Sequence, residues 1–227
     1  EIIRHFCETQ HPPAWQPTAP EIKALQAMVR RLDDLIQLRT QEHNRQQSGV
    51  TSPIVQASIE HMLQHIDQEI TQLQQQIDDH VDQHPDLTHQ VELITSIPGL
   101  GARTAIKLIA EFKAIAGYTS ARSLAASVGV TPAHRQSGTS LHAHPKISKI
   151  GNAALRGALW WPAVSAMKHN PIIIDLVKRL RKAGLHNFAI IVAVIHKLLH
   201  LVYGVIKNDA PFDPDWHPKL LDVQHGI

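Results

Sequence analysis

The residues of this chain that are best suited to chemistry lie in one polar segment, RQSGTSLHAHPKISKIGN at positions 135–152. A short run of hydroxyl side chains, Ser137, Thr139 and Ser140, lies here between Arg135 and the pair Lys146 and Lys149. A serine among cations fits nucleophilic attack on a phosphate, because the cations stabilise the charge of the transition state. It also fits a polar turn, and the residue types alone favour the turn because Ser-Gly turns are common.

The composition is typical of a globular protein with a core. At 227 residues and 43% hydrophobic content, the chain suffices for one or two domains. Its single cysteine, Cys7, excludes a disulfide framework and favours a reducing compartment. Apolar runs such as 188–195 fall short of the ~20 residues of a membrane span, so we expect no membrane partner. The chain opens at Glu1 inside a helix-like run, and we therefore expect it to be part of a longer protein.

Charge is unevenly distributed, although the formal net charge is only +2. Residues 1–90 hold 6 Lys/Arg and 13 Asp/Glu, whereas residues 93–207 hold 15 Lys/Arg and only two acids, Glu111 and Asp175. Such a basic segment predicts a polyanionic partner, and nucleic acid is the commonest one because neutralised phosphates release counterions. The alternative is a basic face that pairs with the acidic half of the same chain.

The first 84 residues divide into an arm and a helical hairpin. Residues 1–20 hold four prolines and predict an extended arm or linker. Residues 21–84 have a helical pattern that is broken at 48–53. Apolar residues recur there at heptad spacing: Leu25, Val29, Leu32, Ile36, Ile59, Leu63, Ile66, Ile70, Leu73 and Ile77. This spacing predicts an antiparallel coiled-coil hairpin, which acts as a spacer or joins two copies in a homo-oligomer.

Residues 92–112, ELITSIPGLGARTAIKLIAEF, match the helix-hairpin-helix pattern of two apolar helices around a Pro-Gly-apolar-Gly turn. Gly99 and Gly101 would let a phosphate approach the backbone, and the first amides of the second helix would donate to it. Arg103 and Lys107 lie four residues apart on that helix and are candidate phosphate contacts. The alternative is a tight turn whose glycines serve helix packing.

The segment 131–151 lies between two predicted helices. A helix at 120–128 precedes it, with Thr119 or Ser120 as its cap. The segment itself is too rich in Gly, Pro, Ser and Thr for a helix, and we expect a loop or a short β-hairpin that turns at Ser137-Gly138.

The C-terminal segments are predicted to be helical and largely buried. A helix that starts near Asn152 is expected to kink at Pro162 and to place Trp160 and Trp161 in the core. The last helix, 187–208, is apolar over most of its circumference and should be buried. The fold class is therefore mainly α, with an antiparallel coiled-coil hairpin followed by a helical domain.

Histidine is abundant, with 17 residues, so metal binding has to be weighed. His196 and His200 share the i, i+4 spacing of zinc-binding helices, and so do His61 and His65. The first pair, however, has lysine where H-E-x-x-H has glutamate, and neither pair has a cysteine or carboxylate in register. We interpret both pairs as structural and predict no metal site in this chain.

Four blocks of the chain resemble, in the same order, the insertion-sequence-110 family of transposases, the DNA recombinases of bacterial mobile elements. The blocks are SIPGLGARTA, ARSLAASVGVTPAHRQSGTS, ISKIGNAALRGALWWPAVSAMKHNP and VIHKLLHLVYGVIKNDAPFD. The arm FCETQHPPAWQP and the hairpin resemble the family's middle region, so the resemblance covers essentially the whole chain. It implies a transposase domain at 85–212, with the helix-hairpin-helix at 92–112 and a serine loop at 131–151, and a tail at 213–227.

The resemblance implies a role for several residues of the serine loop. The family's catalytic serine falls on Ser137, which would attack a DNA phosphodiester and form a covalent phosphoserine; Ser140 and Thr139 are its competitors. Four cations are implied or candidate phosphate clamps: Arg135, Lys146, Lys149 and Arg156. The sequence departs from the family at 141–144 and at Ala133, where basic residues are common, and we expect weaker phosphate binding there.

The resemblance also implies partners and a cofactor. The expected partners are DNA and a structured guide RNA in the bacterial cytoplasm. The family binds Mg²⁺ through four acidic residues of an N-terminal RuvC-like domain, which we expect to precede Glu1. We therefore expect this chain to hold no cofactor and to be inactive alone. The alternative function is a non-catalytic helix-hairpin-helix protein that binds nucleic-acid backbone and dimerises through its coiled coil.

Overall fold

The computed structural model describes residues 2–10, 17–49, 52–133, 136–137, 141–142, 146–148 and 150–215. This part of the chain is mainly α-helical, which confirms the predicted fold class. The helices are α1 Ile2–Gln10, α2 Pro20–Gln47, α3 Pro53–Asp82, α4 Pro85–Thr95, α5 Ala102–Phe112, α6 Ala121–Val128, α7 Ala153–Ala158, α8 Trp160–His169, α9 Pro171–Lys182 and α10 Asn187–Asn208. The strands are β1 Pro132–Ala133, β2 Gln136–Ser137, β3 Leu141–His142 and β4 Lys146–Ile147.

Proline marks the start of several helices. Helices α2, α3, α4 and α9 all begin with proline, whose fixed φ suits the first turn and whose missing amide needs no partner there. The predicted arm is helical in its first half because α1 ends at Gln10, before the first proline of the chain at Pro12.

Helices α2 and α3 form an antiparallel pair. His80 of α3 makes a hydrogen bond of 2.9 Å with the carbonyl oxygen of Glu21, at the start of α2. Arg39, further along α2, pairs with Asp67, which lies earlier in α3. The first contact joins the start of α2 to the end of α3, and the second joins a later part of α2 to an earlier part of α3. The two helices therefore run in opposite directions, as a hairpin requires.

The buried seam of this hairpin differs from the predicted heptad at one position. Ile66 is buried as expected, whereas Ile36 is 44% exposed and Leu35 is buried in its place. A straight α-helix has 3.6 residues per turn rather than 3.5, so residues at strict heptad spacing drift around its surface. The step of three from the half-buried Leu32 to Leu35 keeps the apolar stripe facing α3.

Helix α10 is the centre of the core. It packs against α4, α6, α8 and α9, and seven of its residues are buried: Ile190, Val194, Ile195, Leu198, Leu199, Val202 and Val205. Within the described residues, α10 is the one helix that is long and apolar enough to cross a bilayer. Its packing against four other helices accounts for that apolar composition.

The helix predicted from Asn152 onward is interrupted at Leu159, which separates α7 from α8. Pro162 explains the break, because its ring excludes the carbonyl of the residue four positions earlier. The prediction that both tryptophans are buried was wrong. Trp160 is half-buried against Phe188, with ring centroids 5.6 Å apart, but Trp161, one residue further round the helix, is 75% exposed.

The short strands form two nested antiparallel pairs. β1 pairs with β4, with Pro132 opposite Ile147, and β2 pairs with β3, with Ser137 opposite Leu141. The expected β-hairpin is therefore present in the backbone. Ser137 itself belongs to β2, and the rest of the predicted Ser137-Gly138 turn lies outside the described residues.

Candidate functional site

The serine loop is closed at its base by backbone hydrogen bonds. The Ser148 amide donates to the Thr131 carbonyl at 3.0 Å, next to the β1–β4 pair. The Asn152 amide donates to the Ser127 carbonyl at 2.9 Å, at the end of α6. We call the two segments that meet here, residues 127–133 and 146–152, the stem of the serine loop.

Two glycines are required by the geometry of the stem. Gly129 ends α6 with φ of 75°, the left-handed conformation that glycine adopts without strain. Gly151 has φ of 134°, and an added Cβ there would lie 2.2 Å from the carbonyl oxygen of Ser127. The two segments of the stem thus approach each other more closely than any side chain at position 151 would allow.

Arg156 contributes to the stem from α7. Its Nη1 donates to the carbonyl oxygen of Val128 at 2.7 Å, at the last residue of α6. A guanidinium at a helix C-terminus satisfies a carbonyl that has no partner within the helix. This candidate phosphate clamp is therefore half-buried and holds the N-terminal side of the stem.

Asn152 and Glu111 hold the C-terminal side of the stem. α7 starts next to Asn152 as predicted, and Asn152 caps it, since its Oδ1 accepts from the Leu155 amide at 3.1 Å. Its Nδ2 donates to Oε2 of Glu111 at 2.9 Å. Glu111, on α5, also accepts two hydrogen bonds from Arg30 of α2, at 2.9 and 3.2 Å. One carboxylate thus connects the helical hairpin, α5 and the stem.

Glu111 is ionised at neutral pH. Its side chain is 7% exposed, and burial alone would favour the neutral acid. The hydrogen bonds from Arg30 outweigh that burial and, with the charge of Arg30, the hydrogen bond from Asn152 and the charge of Lys107, keep the pKa of Glu111 below its usual value. The pKa of Arg30 is raised in turn, first by the same hydrogen bond.

The sequence prediction did not include Glu111 as a site residue. The sequence signal that could have identified Glu111 is its scarcity, because residues 93–207 hold 15 cations and only two acids, of which Glu111 is the first. A carboxylate that is buried in such a segment needs cations and hydrogen-bond donors around it.

The two glycines of the helix-hairpin-helix turn have different surroundings. Gly99 has φ of 104°, and an added Cβ would lie 2.6 Å from the Cβ of Ala166 in α8. Asn170, which is fully buried, donates to the Pro98 carbonyl in the same turn at 3.3 Å. Gly101 caps α5, and an added Cβ there meets no described atom within 4 Å. Gly99 thus serves helix packing, whereas Gly101 is open to an approaching group.

Arg103 and Lys107 also differ, although both lie on α5. Arg103 is exposed in the first turn. Lys107 is 19% exposed and donates to both carboxylate oxygens of Asp33 on α2, at 2.7 and 2.6 Å. At Lys107, therefore, the basic segment pairs with the acidic half of the same chain, which is the alternative that the charge pattern left open.

The remaining candidate residues are described in part. Ser137 and Lys146 belong to β2 and β4, and their backbones pair with Leu141 and Ala133. Their side chains, together with Arg135 and Lys149, lie outside the described residues, so the roles of all four stay predictions.

The histidine pair of α10 is partly buried. The rings of His196 and His200 lie 4.4 Å apart. Burial lowers the pKa of both imidazoles, and the nearby charges of Arg122 and Lys197 lower them further. In the part of the chain that the structure describes, no group of three or more His, Cys, Asp or Glu side chains could hold a metal ion.

Comparison with known proteins identifies relatives of this chain. Residues 91–178, which include α5, the stem and α8, match the model of the transposase IS116/IS110/IS902 family. The chain is 31% identical over 217 residues to the pilin gene-inverting proteins of Moraxella bovis and Moraxella lacunata, which is 95% of this chain and 67% of each relative. It is also 24% identical over 121 residues to an insertion element IS110 protein of Streptomyces coelicolor, 53% of this chain and 30% of that protein.

These likenesses agree with the order of the sequence blocks and with the helical fold. A relative above 30% identity that is matched along nearly all of this chain is sufficient to establish common descent. The chain belongs to the IS116/IS110/IS902 family of transposases, enzymes that act on DNA.

Proposed function

We propose that this chain carries the nucleophile of DNA strand exchange, and that the nucleophile is Ser137. The observation that carries the proposal is the stem. It closes a short loop whose backbone at Ser137 is a strand residue, and it does so in a segment without an acid from 112 to 174. A loop held at its base can present one hydroxyl to a phosphate repeatedly in the same geometry.

The proposed chemistry is an exchange of phosphodiesters. The Oγ–P bond forms as the bond from phosphorus to a deoxyribose oxygen breaks, and the serine proton passes, in net terms, to the released oxygen. Attack by the hydroxyl of another strand then reverses the step and rejoins the DNA. Because one phosphodiester replaces another, no external source of energy is needed. Nearby cations would stabilise the crowded phosphorus, and Arg135, Lys146 and Lys149 are the candidates.

In the described part of the chain, no group of three or more His, Cys, Asp or Glu side chains could hold a metal ion. We therefore derive no step through a metal in this chain. The family resemblance assigns Mg²⁺ to an N-terminal RuvC-like domain, and we propose that the chain is inactive without that domain. A structured guide RNA is part of the same proposal, supported by the excess of 13 positive charges in residues 93–207.

We also propose that the helical hairpin joins two copies of the protein. Several large apolar side chains are exposed toward its turn: Ile36, Leu38, Ile54, Val55 and Met62. A helical hairpin that leaves large apolar side chains exposed can bury them against a second copy. Two relatives are named pilin gene-inverting proteins. Inversion of a DNA segment requires strand exchange at both of its ends, which suits a protein with two active loops.

The test is a serine replacement in the full-length protein. Ser137→Ala should abolish strand exchange and leave the Kd for DNA within about two-fold, because the hydroxyl acts only on the reacting phosphorus. Ser140→Ala is the matched control and should retain most of the activity. A nicked DNA substrate should trap a covalent adduct that peptide mass spectrometry assigns to Ser137. An adduct at Ser140 or at a tyrosine, or full activity of Ser137→Ala, would contradict the proposal.

The second candidate function is backbone binding by the helix-hairpin-helix turn without catalysis. The open glycine at position 101 and the exposed Arg103 favour it. The serine test separates the two functions, because a pure binding protein forms no adduct with nicked DNA.

A further inference from the structure

We propose that Glu111 is a positioning residue for the serine loop, which fixes the C-terminal side of the stem through Asn152 and ties it to the helical hairpin through Arg30. The catalytic consequence of this inference rests on the proposed role of Ser137. Its structural part, that the bridge of three side chains sets the geometry of the stem, is independent of that role.

Glu111 contacts Asn152, whose side-chain amide makes a hydrogen bond at each end. Its Oδ1 caps α7 at the Leu155 amide, and its Nδ2 donates to Glu111 at 2.9 Å. Both ends of the side-chain amide are therefore fixed, which sets its χ angles and the position of its backbone. The Asn152 amide in turn donates to the Ser127 carbonyl, against which Gly151 is packed. Moving Asn152 would move the stem.

Glu111 also contacts Arg30. The guanidinium forms two hydrogen bonds to the carboxylate, from Nε to Oε1 and from Nη2 to Oε2. Such a bidentate pair defines orientation as well as distance. Oε2 accepts hydrogen bonds from both Arg30 and Asn152. Arg30 therefore sets the orientation of the carboxylate to which Asn152 donates.

A second ion pair also links α5 to the hairpin. Helix α2 packs against α5, and Lys107 of α5 pairs with Asp33 of α2 one turn from the Arg30 contact. Two ion pairs thus hold the hairpin on α5. The charged groups that face Glu111 come from every element in contact with it: Arg30 from α2 and Lys107 from α5, with the neutral Asn152 at the start of α7. The Glu111 carboxylate thus links the hairpin directly to the stem.

The experiment reverses the polarity of the Glu111–Asn152 hydrogen bond in the full-length protein. Asn152→Asp keeps an oxygen to cap α7 but places a second carboxylate against Glu111, so the two groups repel. Glu111→Gln removes the charge that binds Arg30. The double variant Glu111→Gln/Asn152→Asp restores a donor opposite an acceptor and leaves an oxygen for Arg30. Asp175→Asn is the matched control, because it removes the other acid of the basic segment, from an exposed pair with Lys178.

Hydrogen–deuterium exchange and strand exchange are measured together. We expect each single variant to speed exchange of the Ser148 and Asn152 amides about 10-fold, and to slow strand exchange about 10-fold with Kd for DNA within two-fold. The double variant should recover most of both losses, and Asp175→Asn should resemble the wild type. Recovery by a second substitution excludes a general loss of folding, which a second lesion would worsen.

Two results would overturn the inference. One is wild-type exchange of the stem amides in Asn152→Asp; the other is a double variant no better than the worse single variant. If Ser137→Ala kept its activity while the stem amides behaved as expected, the proposed nucleophile would fail and the positioning of the stem would stand. If Ser137→Ala lost its activity but the double variant recovered nothing, the positioning would fail alone.

Discussion

Individual cations of the basic segment have different tasks, although the sequence presents them as one class. Lys107 and Arg156, both candidate phosphate contacts, already have partners within the protein: the carboxylate of Asp33 and the carbonyl of Val128. Arg103 is exposed at the start of α5, beside the open Gly101. A count of charge therefore overestimates the number of cations that are available to DNA.

Replacing Arg103 and Lys107 separately should distinguish these tasks. Arg103→Gln should weaken DNA binding and reduce the slope of log K against log salt by about 1, since one phosphate contact is lost. Lys107→Gln should leave the slope nearly unchanged and instead lower the melting temperature, because it leaves Asp33 without its ion pair. Fluorescence anisotropy over a salt series and thermal melting measure the two effects. Exchanged outcomes would contradict the assignment.

At the scale of elements, the helix-hairpin-helix turn combines a packing glycine with an accessible one. Gly99 lies against α8 at Ala166, and Gly101 caps α5 with its Cα facing open space. The packing interpretation therefore holds at Gly99, whereas a phosphate contact at Gly101 stays a prediction. The turn joins α4 to α5 and at the same time packs against α8.

Alanine substitutions should separate the two glycines. Gly99→Ala should cost roughly 1–3 kcal/mol of folding free energy, because the Cβ meets the α8 backbone and the residue has a positive φ. Gly101→Ala should cost less, roughly 0.5–1 kcal/mol, because alanine is a poorer N-cap than glycine, yet weaken DNA binding if a phosphate approaches there. Chemical denaturation and a DNA titration of each variant provide the comparison. Equal stability of the two variants would show that Gly99 is not a packing residue.

The helical hairpin also tests the predicted seam. Ile66→Lys should cost roughly 2–5 kcal/mol, since its side chain is 5% exposed and the charge would enter the contact with α2. Met62→Lys, four residues earlier on α3, is the matched control because Met62 is 49% exposed. Circular dichroism melting follows the hairpin, and light scattering follows the oligomer. Loss of the oligomer in Met62→Lys with unchanged melting would support the exposed apolar residues as the contact between copies.

Most elements could be predicted from the sequence, and the errors have physical causes. Helical periodicity, the cap at Ser120 and the apolar composition of α10 are local signals, and they predicted where these helices lie. The exposure of Trp161 depends on how the break at Leu159 turns α8, and local sequence does not encode that rotation. The bridge from Arg30 to Glu111 joins residues 81 positions apart, and no pattern along the chain relates them.

At the scale of the whole molecule, the acidic and basic halves are joined by specific ion pairs rather than by a general attraction. Arg30–Glu111 and Lys107–Asp33 cross the boundary between α2 and α5 in opposite senses, with the cation on a different helix in each pair. An exchange of the cation and the anion within one pair would therefore not be compensated by the other pair. The core beneath them is built on α10, which carries the histidine pair.

The histidine pair should make global stability depend on pH. Because burial lowers the pKa of His196 and His200 in the folded state, protons bind preferentially to the unfolded chain below the ordinary value of about 6.5. Their contribution is fully present above that pH and is lost as the pH falls through the folded-state pKa values. Melting temperature should drop between pH 7.5 and 5.5, and the drop should be smaller in His196→Gln/His200→Gln. An identical pH dependence in this variant would sink the explanation.

The closed stem has a consequence for how such proteins diversify. Its two sides are joined by main-chain hydrogen bonds and by glycine, none of which depends on what the chain does between Ala133 and Lys146. Insertions, deletions and exchanges of residues in that interval would leave the scaffold intact, because long surface loops add little to the entropy of closure. Natural selection can therefore change the residues of the loop without changing the stem that supports it.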